Sequence, residues 1–151
     1  MRVYHASTHI VEFPSIRVTR HTKDFSWGFY CIDRLMAVKQ WAQHNSKTPI
    51  INIYEYEEDN NLNFLYFDKM TDEWLDFIVK CRKGFVHHYD VVKGPLLEED
   101  INIDVENYLN GKISSIEFWE KMQSKKPIGL ISFHTVRALS HLKYVASENV
   151  E

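Results

Sequence analysis

The chain has 151 residues, 44% of them hydrophobic, and a formal net charge of -3. That is enough chain for one domain, residues 1–151, with a real core, and too mild a charge for a general nucleic-acid binder, although local basic patches stay open. No run reaches the ~18 apolar residues of a membrane span and residues 1–10 lack a signal-peptide core, so a cytoplasmic protein with no membrane contact is expected.

Residues 2–6, Arg-Val-Tyr-His-Ala, are predicted as a first strand with Val3 and His5 on one face and Tyr4 on the other. Ser7 and Thr8 end it, and Pro14 marks the next turn. The small residues after His5 leave backbone that a ligand can approach. A basic run from Arg17 to Lys23 leads into Asp24-Phe-Ser-Trp-Gly-Phe-Tyr30, around which the chain is organised. Gly28 removes a side chain where the backbone must come close to something. In a strand, Phe29 and Tyr30 point to opposite faces. One aromatic then fills the core while the other lines a cleft; the plainer alternative puts both in the core.

Asp33 is the predicted N-cap of a helix running to His44, with Leu35, Val38 and Ala42 on one stripe and Ala37 and Trp41 beside it. Residues 50–54 form a strand, residues 55–61 an acidic turn, and residues 62–67 the returning strand of a hairpin. Thr71 caps a second helix, whose Trp74, Phe77, Ile78 and Cys81 share one buried face and which Gly84 stops. Residues 87–92 are predicted as a strand that sends His87 and His88 to opposite faces and ends at Lys93-Gly-Pro95. A helix follows with a stripe of Ile101, Val105, Tyr108 and Leu109. Ser114 and Glu117 form a capping box for the next, with Phe118 and Met122 inside. Residues 129–133 are the last core strand. Thr135 then caps a short helix carrying Leu139 and Leu142, and Tyr144-Val145 adds an edge strand. Strands and helices mix without regular βαβ alternation, which favours an α+β fold.

Eight histidines occur without an HExxH pattern, and Cys31 and Cys81 stand alone. No metal site is expected, and the thiols are expected to be reduced.

Six stretches in order, residues 4–7, 23–30, 37–42, 74–79, 89–95 and 132–135, resemble the motifs of an uncharacterised bacterial family. Its members carry YHGS, KDFGxGFYxT, AxxWA, WLDFV, YDxVxGP and a CFxT-like ending. That family is placed in the ADP-ribosyltransferase clan, with the diphtheria-toxin and poly-ADP-ribose-polymerase type of fold. The resemblance implies two packed, mainly antiparallel sheets forming an NAD cleft, with flanking helices. It implies that His5 hydrogen-bonds the adenosine ribose, that the Ala6 backbone holds the nicotinamide amide, and that Tyr30 and Trp41 wall the nicotinamide ring. Aromatic faces suit a flat pyridinium through stacking and cation–π attraction. Asp24 joins the cofactor-binding set, and Arg20, with Arg17 or Lys23, meets the pyrophosphate. The implied activity is a toxin-like transfer of ADP-ribose to a protein or nucleic acid, and the implied partner a small antitoxin.

Three positions depart from that pattern. Ala6 and Ser26 stand where glycine is typical. Leu130 stands where active transferases place a glutamate and the bacterial family a glutamine, and residues 125–137 contain no acid or side-chain amide. A leucine can neither orient a ribose hydroxyl nor stabilise an oxocarbenium-like transition state. Ser132 is the nearest polar residue facing the same way. A transferase with a non-standard catalytic residue, a binding module for NAD, a nucleotide or a partner protein, and an unrelated α+β protein whose aromatics are core all remain open.

Overall fold

The chain's alternating apolar residues build a sheet with two different faces, and both are covered. The structure, a computed structural model, describes residues 1–16, 24–45, 49–95, 99–125 and 127–150. β1 (Arg2–Ser7) runs antiparallel between β2 (Phe29–Ile32) and β3 (Ile50–Tyr56). Outward from β2 come β6 (Gly129–Phe133), β5 (Val91–Pro95) and β4 (Phe64–Tyr66); outward from β3 comes β7 (Leu142–Asn149). The order is β4-β5-β6-β2-β1-β3-β7, with β4 parallel to β5 and every other pair antiparallel. The helices are α1 (Leu35–Asn45), α2 (Asp72–Arg82), α3 (Glu99–Leu109), α4 (Ser115–Met122) and α5 (Val136–Leu139). The fold is α+β, as expected.

The two-sheet expectation is corrected. β2 is hydrogen-bonded to β1 on one edge and to β6 on the other, so the strands join into one seven-stranded sheet. The hairpin of residues 50–67 is corrected too. Both edges of β3 are taken, by β1 and β7, which leaves none for β4. β4 pairs instead with β5, where Asp90 and Asn63 lock the start of the ladder. The Asn63 N–H donates to the Asp90 carboxylate (2.8 Å), and the Asp90 N–H donates to the Asn63 carbonyl (2.6 Å). His87 and His88 precede that strand rather than lie in it, and Lys93-Gly-Pro95 belongs to it. Leu142 opens β7 instead of continuing α5.

One apolar cluster gathers Ile32, Ile51, Ile53, Val92 and Leu130 with residues of α1 to α4; Trp74, Leu75, Ile78, Ile101 and Phe118 are its largest deeply buried helical members. The other gathers Val3, Phe29, Cys31, Tyr54, Tyr56, Ile131 and Phe133. Neighbouring residues of a strand therefore sit in different clusters, Phe29 in the second and Tyr30 against the first, as strand alternation requires. The caps are as expected: Thr71 accepts from the Trp74 N–H, Ser114 and Glu117 form the capping box, and Thr135 accepts from the Ala138 N–H. Gly84, at φ 101°, ends α2. Asp33 is not the cap of α1. The first helical N–H, of Val38, bonds the Arg34 carbonyl, while the Asp33 carboxylate lies beside Gly129 and 3.8 Å from the Lys93 amine. At β7 the register against β3 shifts between Ile53 and Tyr54, so Val145 is an extra residue on the edge strand.

Asn52, fully buried in β3, ties down the segment after β1. Its carbonyl oxygen accepts from the Val11 N–H (2.9 Å) and the Ser147 hydroxyl (2.7 Å), and its amide donates to the His9 carbonyl (3.1 Å). Truncation strands the Val11 N–H and the His9 carbonyl beside the core. Asn52→Ala is therefore expected to cost about 2–3 kcal/mol, read as a lower urea midpoint at unchanged m.

Candidate functional site

The loop 24–28, which delivers the chain into β2, is held by an arrangement of buried polar groups. Three consecutive backbone carbonyls each accept a hydrogen bond from a side chain of a different segment. His87 Nε2 reaches the Phe25 carbonyl (2.7 Å), the Tyr30 hydroxyl donates to the Ser26 carbonyl, and His134 Nδ1 reaches the Trp27 carbonyl (2.8 Å). The Tyr30 oxygen also accepts from the Phe25 N–H (3.0 Å). Phe25 itself is buried in the first cluster. The close approach foreseen at Gly28 is to the end of β6: a Cβ there would stand 2.7 Å from His134 Nδ1 and 2.8 Å from the Phe133 carbonyl. Ser26 takes φ 76°, a left-handed conformation that favours glycine.

A carbonyl only accepts, so His134 carries its proton on Nδ1 and His87 on Nε2. The remaining nitrogens are acceptors: the Tyr89 N–H donates to His87 Nδ1 (3.0 Å), and the Ser132 hydroxyl meets His134 Nε2 at 2.7 Å. Both rings are neutral, with centroids 4.3 Å apart at 81°. Burial pushes the His134 pKa down to about 4, helped by His87 and opposed by the Trp27 carbonyl. Burial also lowers His87, against the pull of the Phe25 carbonyl. Burial raises the Tyr30 hydroxyl well beyond the physiological range. Ser132 and His134 thus have the contact of a nucleophile and its base. Ser132 has no exposed surface, however, and its hydroxyl also lies 3.3 Å from the Val92 carbonyl. A base with a pKa near 4 accepts a proton poorly at neutral pH. The pair is a structural lock.

The residues singled out from the sequence fall as follows. The His5 ring stacks on Phe29 (4.1 Å between centroids), and its Nδ1 lies 2.7 Å from the Tyr30 carbonyl across the β1–β2 boundary. Ala6, Tyr30 and Trp41 are partly buried against the first cluster, so these three share one side of the sheet. His5 faces the other side, with Phe29. Asp24 is engaged within the protein: Arg82 at the end of α2 grips one carboxylate oxygen through Nε (3.1 Å) and Nη2 (2.7 Å), and the same Nη2 contacts Asn102. Arg20, like Arg17 and Lys23, lies outside the described residues. Leu130 is 5% exposed and packed in the first cluster, opposite Ile32 on one side and Gly94 on the other. The roles of His87 and His134 went unseen in the sequence. The only signal for the second was its place two residues beyond Ser132, on the same strand face.

Three expectations follow. Gly28→Ala is expected to cost about 1–3 kcal/mol, because the methyl group meets backbone that cannot retreat. Ser26→Gly is expected to gain roughly 0.5–1 kcal/mol by relieving the left-handed residue; urea unfolding measures both. For pH, His134 has a lower pKa folded than unfolded, so its contribution is complete above about 6.5. It is lost as the pH falls towards about 4, on the order of 3 kcal/mol. Melts at stepped pH are expected to show this loss, and His134→Gln to flatten it.

A family model described as "Protein of unknown function (DUF3990)" matches residues 1–144. No curated protein and no solved structure matches the chain. With the match covering nearly all of its 151 residues, the chain belongs to the DUF3990 family.

Proposed function

We propose that this chain binds NAD in the manner of an ADP-ribosyltransferase-like fold and transfers ADP-ribose poorly or not at all. The observation that carries the proposal is the common side of the sheet shared by Ala6, Tyr30 and Trp41, where β1, β2 and α1 meet. Small backbone beside two aromatic side chains suits a flat, cationic nicotinamide ring. In this reading the Tyr30 ring rather than its hydroxyl faces the ligand, since the hydroxyl is committed to the loop 24–28. Asp24 acts indirectly, by anchoring that loop to Arg82. The weak transfer rests on Leu130. Its side chain is buried among apolar neighbours, and β6 carries no carboxylate or amide.

The same burial dictates the choice of variants. Leu130→Glu places a carboxylate in the core, at a cost of several kcal/mol, so restoring the acid is a poor first test. Trp41, partly exposed on α1, is better. Calorimetry with NAD is expected to show saturable binding that weakens roughly tenfold in Trp41→Ala, the worth of one stacked, cation–π contact. Nicotinamide release in the same samples is expected to stay at the rate of the blank. No heat at millimolar NAD overturns the proposal. Binding with turnover overturns only its second half, and restores a macromolecular acceptor and an antitoxin partner as the expectation.

A further inference from the structure

The outer edge of the sheet at β4 carries an exposed aromatic pair that the NAD reading does not use. Phe64 and Tyr66 are 42% and 39% exposed and stack on each other, with centroids 4.8 Å apart at 22°. Their backbone polar groups face away from β5 as well. The Asn63 carbonyl accepts from the Asp90 and Val91 N–H groups, and the Phe67 N–H donates to the Lys93 carbonyl (2.7 Å), so these two residues turn towards β5. Strand alternation then turns the N–H and C=O of Phe64 and Tyr66 away from the sheet. Among the described residues no strand pairs with that side of β4.

The surroundings are acidic. Glu57 and Glu58 are exposed, and Glu58 lies near enough to act on the Tyr66 hydroxyl. Asp59 follows, paired with His141 at 3.1 Å. Two cations nearby are engaged elsewhere: Arg137 donates to the Asn61 carbonyl, and Lys93, opposite Tyr66 on β5, lies 3.8 Å from the Asp33 carboxylate. An open strand edge accepts an extended peptide, aromatic faces accept cations, and an acidic border selects for them. A nucleic acid, which also stacks on aromatics, is repelled by this border.

We propose that β4 docks an extended, lysine- or arginine-bearing segment of a partner protein. The segment adds a strand to the sheet through the backbone of Phe64 and Tyr66, with its cationic side chains over the two rings and beside Glu57 and Glu58. This interface is independent of the NAD reading.

The test uses the full chain, labelled with nitrogen-15, and two capped peptides, one alternating lysine with valine and one alternating glutamate with valine. The lysine peptide is expected to shift the Phe64 and Tyr66 amides saturably, and the glutamate peptide to leave them in place. Affinity is expected to fall about tenfold in the double variant Phe64→Ser/Tyr66→Ser, two exposed cation–π contacts at about threefold each. It is expected to fall about threefold in Glu57→Gln/Glu58→Gln, which also keeps the test intact if the first variant loses its dispersed spectrum. Four outcomes overturn the proposal: no saturable shift at millimolar lysine peptide, equal response to both peptides, binding unchanged in the Glu57→Gln/Glu58→Gln variant, or the same amides responding to single-stranded oligothymidine instead.

Discussion

Burying the carbonyls of Phe25, Ser26 and Trp27 is the constraint on which the rest of this molecule depends. A buried carbonyl without a donor costs about 1–3 kcal/mol, and three in a row cannot be left unmet. A helix or strand would satisfy them from within. The loop 24–28 is neither, so side chains supply the donors: Tyr30 locally, from the start of β2, and His87 and His134 from far along the chain, at the approach to β5 and the end of β6. Each donor makes its own demand in turn. His134 needs Gly28 to be without a side chain and Ser132 to be within reach; His87 needs the Tyr89 N–H; Tyr30 needs a turn tight enough to put Ser26 at φ 76°. The local strain and the missing side chain are consequences of satisfying backbone, and they fix the relative placement of three strands.

The sheet answers a similar logic at its other half. β3 is covered on both edges, and its interior polar residue, Asn52, reaches sideways to hold the segment 9–11 that leaves β1. The Tyr54 hydroxyl reaches the Val11 carbonyl from the same strand. The exit from β1 and the entry to β2, which the antiparallel register puts at the same end of the pair, are therefore both secured by side-chain-to-backbone bonds. In the proposed reading, the loop bonds of the Tyr30 hydroxyl hold its ring in place beside Ala6.

Much of the architecture was legible because local chemistry decided it. Thr71, Ser114 and Thr135 each cap through contacts three residues away, and the stripe of Trp74, Ile78 and Cys81 closes within two helical turns. Phe29 and Tyr30 part to opposite faces because strand geometry admits nothing else. The misreadings share a cause: each needed knowledge of a distant partner. Residues 62–67 looked like the return of a hairpin, and nothing local reveals that β1 and β7 have already taken both edges of β3. Asp33 has the side chain of a cap, yet its carboxylate lies beside Gly129, far along the chain. Tyr30 stood out among the aromatics, but its hydroxyl's task depends on a turn whose shape only the folded loop defines. Leu130 was legible as a departure; its burial between Ile32 and Gly94 was not.

The two outermost strands have unequal fates, and the extra residue Val145 is the reason. β7 is eight residues long, which in a flat strand would invite another chain to continue the sheet. The bulge at Val145 bends that strand and interrupts the even spacing of its outward groups, and Lys39 pairing with Glu148 at 3.9 Å adds charge along it. β4 is short and regular. A sheet open at one margin and spoiled at the other has a direction for growth but no means of repeating it. A second copy offering its β7 to β4 brings a bulged, charged edge, so head-to-tail stacking of copies, β7 on β4, is disfavoured.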